Sequence, residues 1–388
     1  MLRDEKRTAD SHQRTAVSCR AMRFGIVAAA VLTVAGQEQS LAHTVLLSRG
    51  TVVVHRNRIV SRIEIDAKDF IHYYHLRPAA EGFSASALRD AVRRHRQHLL
   101  EHFLIRNTRG ERLIGKCVDV EWDEPSDMKI GYSELGALRA VYVLEHPTHS
   151  PPRYLTFQQF LGGRHAPMPV RLALSVTAAG DATARFIQLT NRGNVETLEF
   201  AWPDPAVKKS IPSSVFGQQL GYPGHAPEQD RFKSVYACVQ IEGMVVRCDI
   251  YVPLVLLETW LPLRRASRDF IDAGEMTDAR ERLRAFFAGR NRFRINDRPA
   301  APSAVRLSFL GPDALSIDEP PVERLGVWSA RVGVRLTYET DVPVSQVELV
   351  WDLFNNAVFN ATVTTVFGDS RNEKVVTPYN PIVSWSRG

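Results

Sequence analysis

The sequence predicts a mainly β protein of two tandem β-sandwich-like (Ig-like) domains, each with one inserted α-helix, and three observations carry that reading. Short runs of alternating apolar and polar residues recur along the 388 residues, separated by Gly- and Pro-bearing turns. Only two later stretches, near 85–103 and 277–288, carry apolar residues at helical spacing. A hairpin pattern over 52–71 (VVVHRNRIVSRIEIDAKDFI) returns over 235–256 (VYACVQIEGMVVRCDIYVPLVL), which points to internal duplication.

The chain opens with a targeting signal. Arg20 and Arg23 precede the apolar run 25–36, and Ser40-Leu41-Ala42 supplies small residues before a cut, so residues 1–42 read as a secretory signal peptide, with Met22 as a second start. A run this short does not span a bilayer. No later stretch reaches spanning length, because residues 251–263 are interrupted by Pro253, Glu258 and Pro262. These features predict a periplasmic or extracellular protein, with membrane anchoring by an uncleaved N-terminal segment as the rival reading.

The first domain covers residues 43–202. A hairpin with its turn at Asn57-Arg58 runs to about Ile71, and a helix follows with Ser84 or Ser86 as cap and Ala85, Leu88, Val92, Leu99 and Phe103 on one face. Strands are expected at 103–107, 113–122, 138–144, 154–160, 170–177, 184–190 and 195–202. Residues 203–230, with five prolines and three glycines, read as a linker.

The second domain, 231–388, repeats the plan. Its hairpin turns at Glu242-Gly243, and Arg247, Asp249 and Ile250 stand where Arg62, Glu64 and Ile65 stood. A helix over 277–288 buries Ala279, Leu283, Phe286 and Phe287, and Phe293, Ile295 and Asp297 match Phe103, Ile105 and Asn107 in kind and order. Each copy closes on a tryptophan, Trp202 and Trp385.

Ala42-His43, Ser48, Ile65-Asp66, Asp69-Phe70, the helix and residues 103–110 (FLIRNTRG) resemble the extracytoplasmic N-terminal region of the HupE/UreJ-type membrane proteins, over residues 42–160. The chain departs from that family in having no membrane-spanning helices, so metal transport does not carry over. The resemblance implies an exported β-rich accessory module.

Charge and motifs limit the chemistry. A net charge of +6 with scattered basic residues excludes a nucleic-acid groove. Residues 131–136 (GYSELG) miss the spacing of a nucleophile elbow, and no glycine-rich phosphate loop follows a strand, so a hydrolase with an unrecognised site is only an alternative reading. Cleavage after Ala42 would leave His43 as an amino-terminal chelate for Cu or Ni, with His72 and His75 as further ligands. His95, His98 and His102 form a stripe bordering the helix's apolar face and read as boundary residues. Cys238 and Cys248 would bridge across the second hairpin if its connection has three residues, and are offset by one if it has two, while Cys117 stays reduced. The leading expectation is an exported, soluble, non-enzymatic binding or accessory module at the cell envelope, acting on an envelope protein or a small ligand. The alternative is a periplasmic metal-handling protein.

Overall fold

The computed structural model describes residues 46–202 and 232–387, apart from 80–81, 123–124, 126–128, 163–169, 182, 192–193 and 315. The expected signal peptide, Met22, His43 and the linker 203–230 lie outside the described residues. In the first half, β1 (Leu46–Val54) and β2 (Arg58–Asp66) form the hairpin, α1 (Ala67–Tyr74) follows at once, and β3 (Phe83–Ser84) leads into α2 (Ala85–His102). Then come β4 (Phe103–Arg106), β5 (Lys116–Trp122), β6 (Lys129–Ile130), β7 (Arg139–Pro147), β8 (Tyr154–Gln159), β9 (Val170–Ala178), β10 (Arg185–Thr190) and β11 (Val195–Glu199).

The second half repeats this order. It has β12 (Val235–Glu242), β13 (Val245–Pro253), α3 (Leu254–Leu257), β14 (Phe270–Asp272) and α4 (Ala273–Ala288). After these follow β15 (Arg292–Ile295), β16 (Arg298–Ala300), β17 (Ala304–Leu310), β18 (Arg324–Gly326), β19 (Arg331–Glu339), β20 (Gln346–Val350), β21 (Ala361–Phe367), β22 (Ser370–Val376) and β23 (Ile382–Ser386).

The duplication is explicit in the pairing. The large sheet of the first half runs β10-β9-β1-β2-β7-β5, and that of the second runs β22-β21-β12-β13-β19-β17, so each strand has a counterpart at the same place. In both sheets the first strand pairs in parallel with a strand from late in its own half, β1 with β9 and β12 with β21. The small sheets, β4-β8-β11 and β15-β20-β23 with β16 added, correspond as well, as do the two-stranded pairs β3-β6 and β14-β18.

Alternation explains which faces are buried. In β2, Ile59, Ser61, Ile63 and Ile65 face inward between partly or fully exposed neighbours. Leu88, Val92, Leu99 and Phe103 bring α2 into the same core as Tyr142 and Phe157, and burying a side chain such as Leu88 contributes about 1.5–3 kcal/mol. A separate core holds Leu283, Phe287, Trp351 and Leu353 in the second half. On the outward face the acidic residues at matching hairpin positions are both held by arginine: Glu64 by Arg49 at 2.7 Å and Arg139 at 3.0 Å, Asp249 by Arg335 Nε and Nη2, each at 2.7 Å.

Four boundaries depart from expectation. The turns sit at Arg56-Asn57 and Gly243-Met244, one residue away in opposite directions, because Val54 pairs with Ile59 and Glu242 with Val245. The hairpin return stops at Asp66 and the chain enters α1, where a continued strand was expected. Helix α4 starts one turn earlier, since Asp272 and Glu275 form a capping box that satisfies its first amides. Ser84 is the N-cap of α2 but makes no capping bond, its hydroxyl lying 2.7 Å from that of Ser86.

The halves are joined through the small sheet of the first. Strand β8 is buried on both faces: Leu155 and Phe157 enter the core, while Tyr154, Thr156 and Gln158 are buried on the opposite face. Arg106 reaches Asp269 at 2.9 Å, Gly326 N donates to Thr108 O at 3.0 Å, and Thr197 Oγ1 donates to Trp328 O at 3.2 Å. Tyr154 meets Phe232 edge-on at 5.9 Å.

Candidate functional site

The residues singled out in the sequence do not converge among the described residues. His72, in the last turn of α1, and His75, its left-handed C-cap, are both exposed, and His43 lies outside the described residues. No group of three or more His, Cys, Asp or Glu side chains is gathered as a metal site among the described residues.

The Cys238–Cys248 bridge is absent, and both cysteines are free and buried. The two-residue turn pairs Cys238 with Asp249 and Val239 with Cys248, so the thiols are one position out of register. Successive side chains alternate across a strand, so Cys248 enters the core while Cys238 takes the other face.

The histidine stripe of α2 lies deeper than the sequence suggested. His95 is fully buried, with Phe70 5.2 Å and Tyr73 4.8 Å away between ring centroids, and its Nδ1 lies 3.1 Å from Tyr74 Oη. Around it Asp69 Oδ2, His95 Nε2 and His98 Nε2 are buried without a hydrogen-bond partner. Burial raises the Asp69 carboxyl to about 7 and lowers His98 to about 4, and burial with the neighbouring His98 and His102 charges holds His95 well below its ordinary value. These groups are therefore neutral near pH 6. They form a polar knot inside the first core and present no open face to a ligand.

An open face occurs at one end of the second half, and sequence reasoning missed it. Phe359 is 60% exposed and Tyr379 88% exposed, with ring centroids 6.4 Å apart and planes inclined at 56°. Each ring stands on a tied turn. Asn355 and Val358 exchange backbone bonds at 3.1 and 3.2 Å, and Asn355 Oδ1 accepts from Ala357 N and Val358 N at 2.8 and 2.9 Å. Asn355 Nδ2 donates to Thr259 Oγ1 at 2.6 Å, and buried Val358 anchors the loop below Phe359. Thr377 and Asn380 exchange bonds at 3.3 and 3.0 Å around Pro378, the residue that presets φ at this position of a turn.

The two segments, Asn-Asn-Ala-Val-Phe-Asn over 355–360 and Thr-Pro-Tyr-Asn-Pro over 377–381, contain no charged residue. They combine two aromatic faces with several side-chain amides, a surface suited to a neutral ligand with apolar C–H faces and hydroxyl groups. The corresponding β10–β11 connection of the first half reads Asn191-Arg192-Gly193-Asn194 and has no aromatic residue. Asn-rich turn composition around a lone Phe and a lone Tyr was the only available signal, and it does not reveal that the two turns meet.

The sequence matches no protein-family profile, and no curated protein is significantly similar to it. No helix among the described residues is long and apolar enough to cross a membrane.

Proposed function

We propose that the chain is an exported, non-enzymatic binding module of the cell envelope that holds its ligand at the Phe359–Tyr379 tip. The observation that carries this reading is the exposure of two adjacent aromatic rings on hydrogen-bonded turns of the second half. Leaving a ring such as Tyr379 in water forgoes the stabilisation that burial brings, and the tied turns fix the backbone beneath it, so little main-chain freedom is lost when a ligand stacks on it. Export is supported by Arg23, the apolar run 25–36 and Ser40 to Ala42. The accessory character is supported by the resemblance of residues 42–160 to an extracytoplasmic module.

Titration calorimetry of the mature protein with neutral oligosaccharides, of N-acetylhexosamine and of plain hexose type, tests the reading. Binding should be measurable for one class and fall at least tenfold in Tyr379→Ala and in Phe359→Ala, both of which keep the native circular dichroism. Equal affinity in the wild type and both variants, or no binding to either class, would remove the tip as the ligand seat.

A further inference from the structure

The turn that docks the second half onto the first has a twin within the first half. In the second half Gly326 O accepts from Ser329 N and Ala330 N at 3.1 and 2.9 Å; in the first half Gly131 O accepts from Glu134 N and Leu135 N at 3.1 and 3.4 Å. Both turns follow the short strand, β18 or β6, that pairs with the residues entering the long helix. Their amides differ in use. Gly326 N reaches across to Thr108 O, whereas Gly131 N is taken by the chain's own Glu134 Oε2 at 2.6 Å. Beside Gly131 the ring of Tyr132 is 66% exposed and leans on Phe83, with centroids 6.4 Å apart.

The receiving surface also has a twin. In the first half it is the outward face of the small sheet together with the turn after β4, where Thr108 O takes the Gly326 amide and Arg106 takes Asp269. In the second half the equivalent face of β15, β20 and β23 leaves Arg292, Arg294 and Ser384 exposed. There the turn after β15 is Asn296-Asp297, and the Asp297 carbonyl accepts from the chain's own Arg294 at 2.9 Å. One end therefore shows an amide closed by a carboxylate, and the other a carbonyl closed by a guanidinium.

We infer that these two ends are the unused halves of a head-to-tail interface between copies of this chain, kept closed by Glu134 and Arg294. Two features favour a second copy as occupant. The contact repeats the one already present between the halves, with a turn and a receiving sheet of the same construction, and Tyr132 supplies an apolar anchor next to the amide. A contact of this kind joins unlike surfaces, so opening both closures extends the chain of copies without a fixed end.

Sedimentation velocity of the mature protein over a hundredfold range of concentration tests this. The wild type should sediment as one concentration-independent species, and Glu134→Ala with Arg294→Ala should show a weight-average mass rising past two chains. Adding Tyr132→Glu should restore the single species. If alanine impairs folding, Glu134→Asp with Arg294→Gln gives the same readout, since a shorter carboxylate and an uncharged amide both open the closures. A folded double variant that stays at one species, or one that stops at a closed dimer, would overturn the inference.

Discussion

Arg106 and Asp269 form an ion pair that crosses between the halves, and its two members differ in environment: Arg106 is 4% exposed, and the Asp269 side chain is 41% exposed. Burial pushes the Arg106 guanidinium down and Asp269 opposes that shift, while Gln158 Oε1 accepts a further bond at 2.8 Å. Removing the aspartate leaves a buried cation one partner short, which costs about 1–3 kcal/mol. Asp269→Ala should lower the urea midpoint more than Arg106→Met does, because Met fills the volume without stranding a charge. Equal losses from the two variants would assign the stability to packing rather than to the pair.

Gly326 sits where the two backbones touch. A Cβ on it would lie 2.6 Å from Gly110 N and 3.0 Å from Thr108 O, neither of which is a flexible side-chain end. Gly110 itself has φ +77, so the loop it belongs to has little freedom to retreat. Gly326→Ala should undock the halves while each keeps its own core, and calorimetry should show the unfolding endotherm split into two. A single cooperative transition in the variant would mean that the cores are not independently stable.

The thiols of Cys238 and Cys248 should remain unbridged under oxidising conditions. Burial pushes Cys238 up to about 11 and Cys248 well above the ordinary thiol range, so neither offers the thiolate that reacts. Labelling of the native protein with a small maleimide should modify the partly buried Cys117 first and the other two only as the protein unfolds. Recovery of a Cys238–Cys248 peptide on non-reducing mapping would contradict the offset register.

Acid should destabilise the first half. His98 and His146 are held near 4 by burial, and burial holds His95 well below its ordinary value, so below about pH 6.5 the unfolded chain takes up protons that the folded one refuses, and stability is lost as pH falls from 6.5 toward 4. Asp69, raised to about 7, acts oppositely: its contribution is full in acid and is lost as pH rises from about 4 through 7. Three histidines against one carboxyl leave a net uptake of about two protons on unfolding near pH 5. Urea midpoints measured from pH 7 down to 4.5 should decline, and His98→Gln should flatten that decline by about one proton.

The element order was largely readable because alternation in β2 and β13 and the stripe Leu88, Val92, Leu99, Phe103 are properties of neighbouring residues. Three features were not. The parallel pairing of Leu46 with Val170 depends on contacts far apart in sequence, which no local period reports. Helix α1 escaped notice because Ile65, Ala67 and Phe70 fit a strand ending as well as a helix start. The exposed aromatic tip escaped notice because Phe359 and Tyr379 are twenty residues apart on separate turns, and single exposed aromatics do not stand out in composition. His95 was misplaced for a different reason: the stripe's angular position was right, but Tyr73 and Phe70 on α1 close over it.

The parallel pairing of the first strand with a late one in each half also bears on how the chain is made. Leu46 cannot find its neighbour until Val170 has been synthesised, nor Val235 until Ala361 has. Contacts so distant in sequence raise the entropy of closing the loop and slow folding. A nascent chain emerging from the ribosome therefore lacks the central strand pairing of its first sheet until nearly half the polypeptide is out. That delay postpones closure of each large sheet until late in the synthesis of its own half.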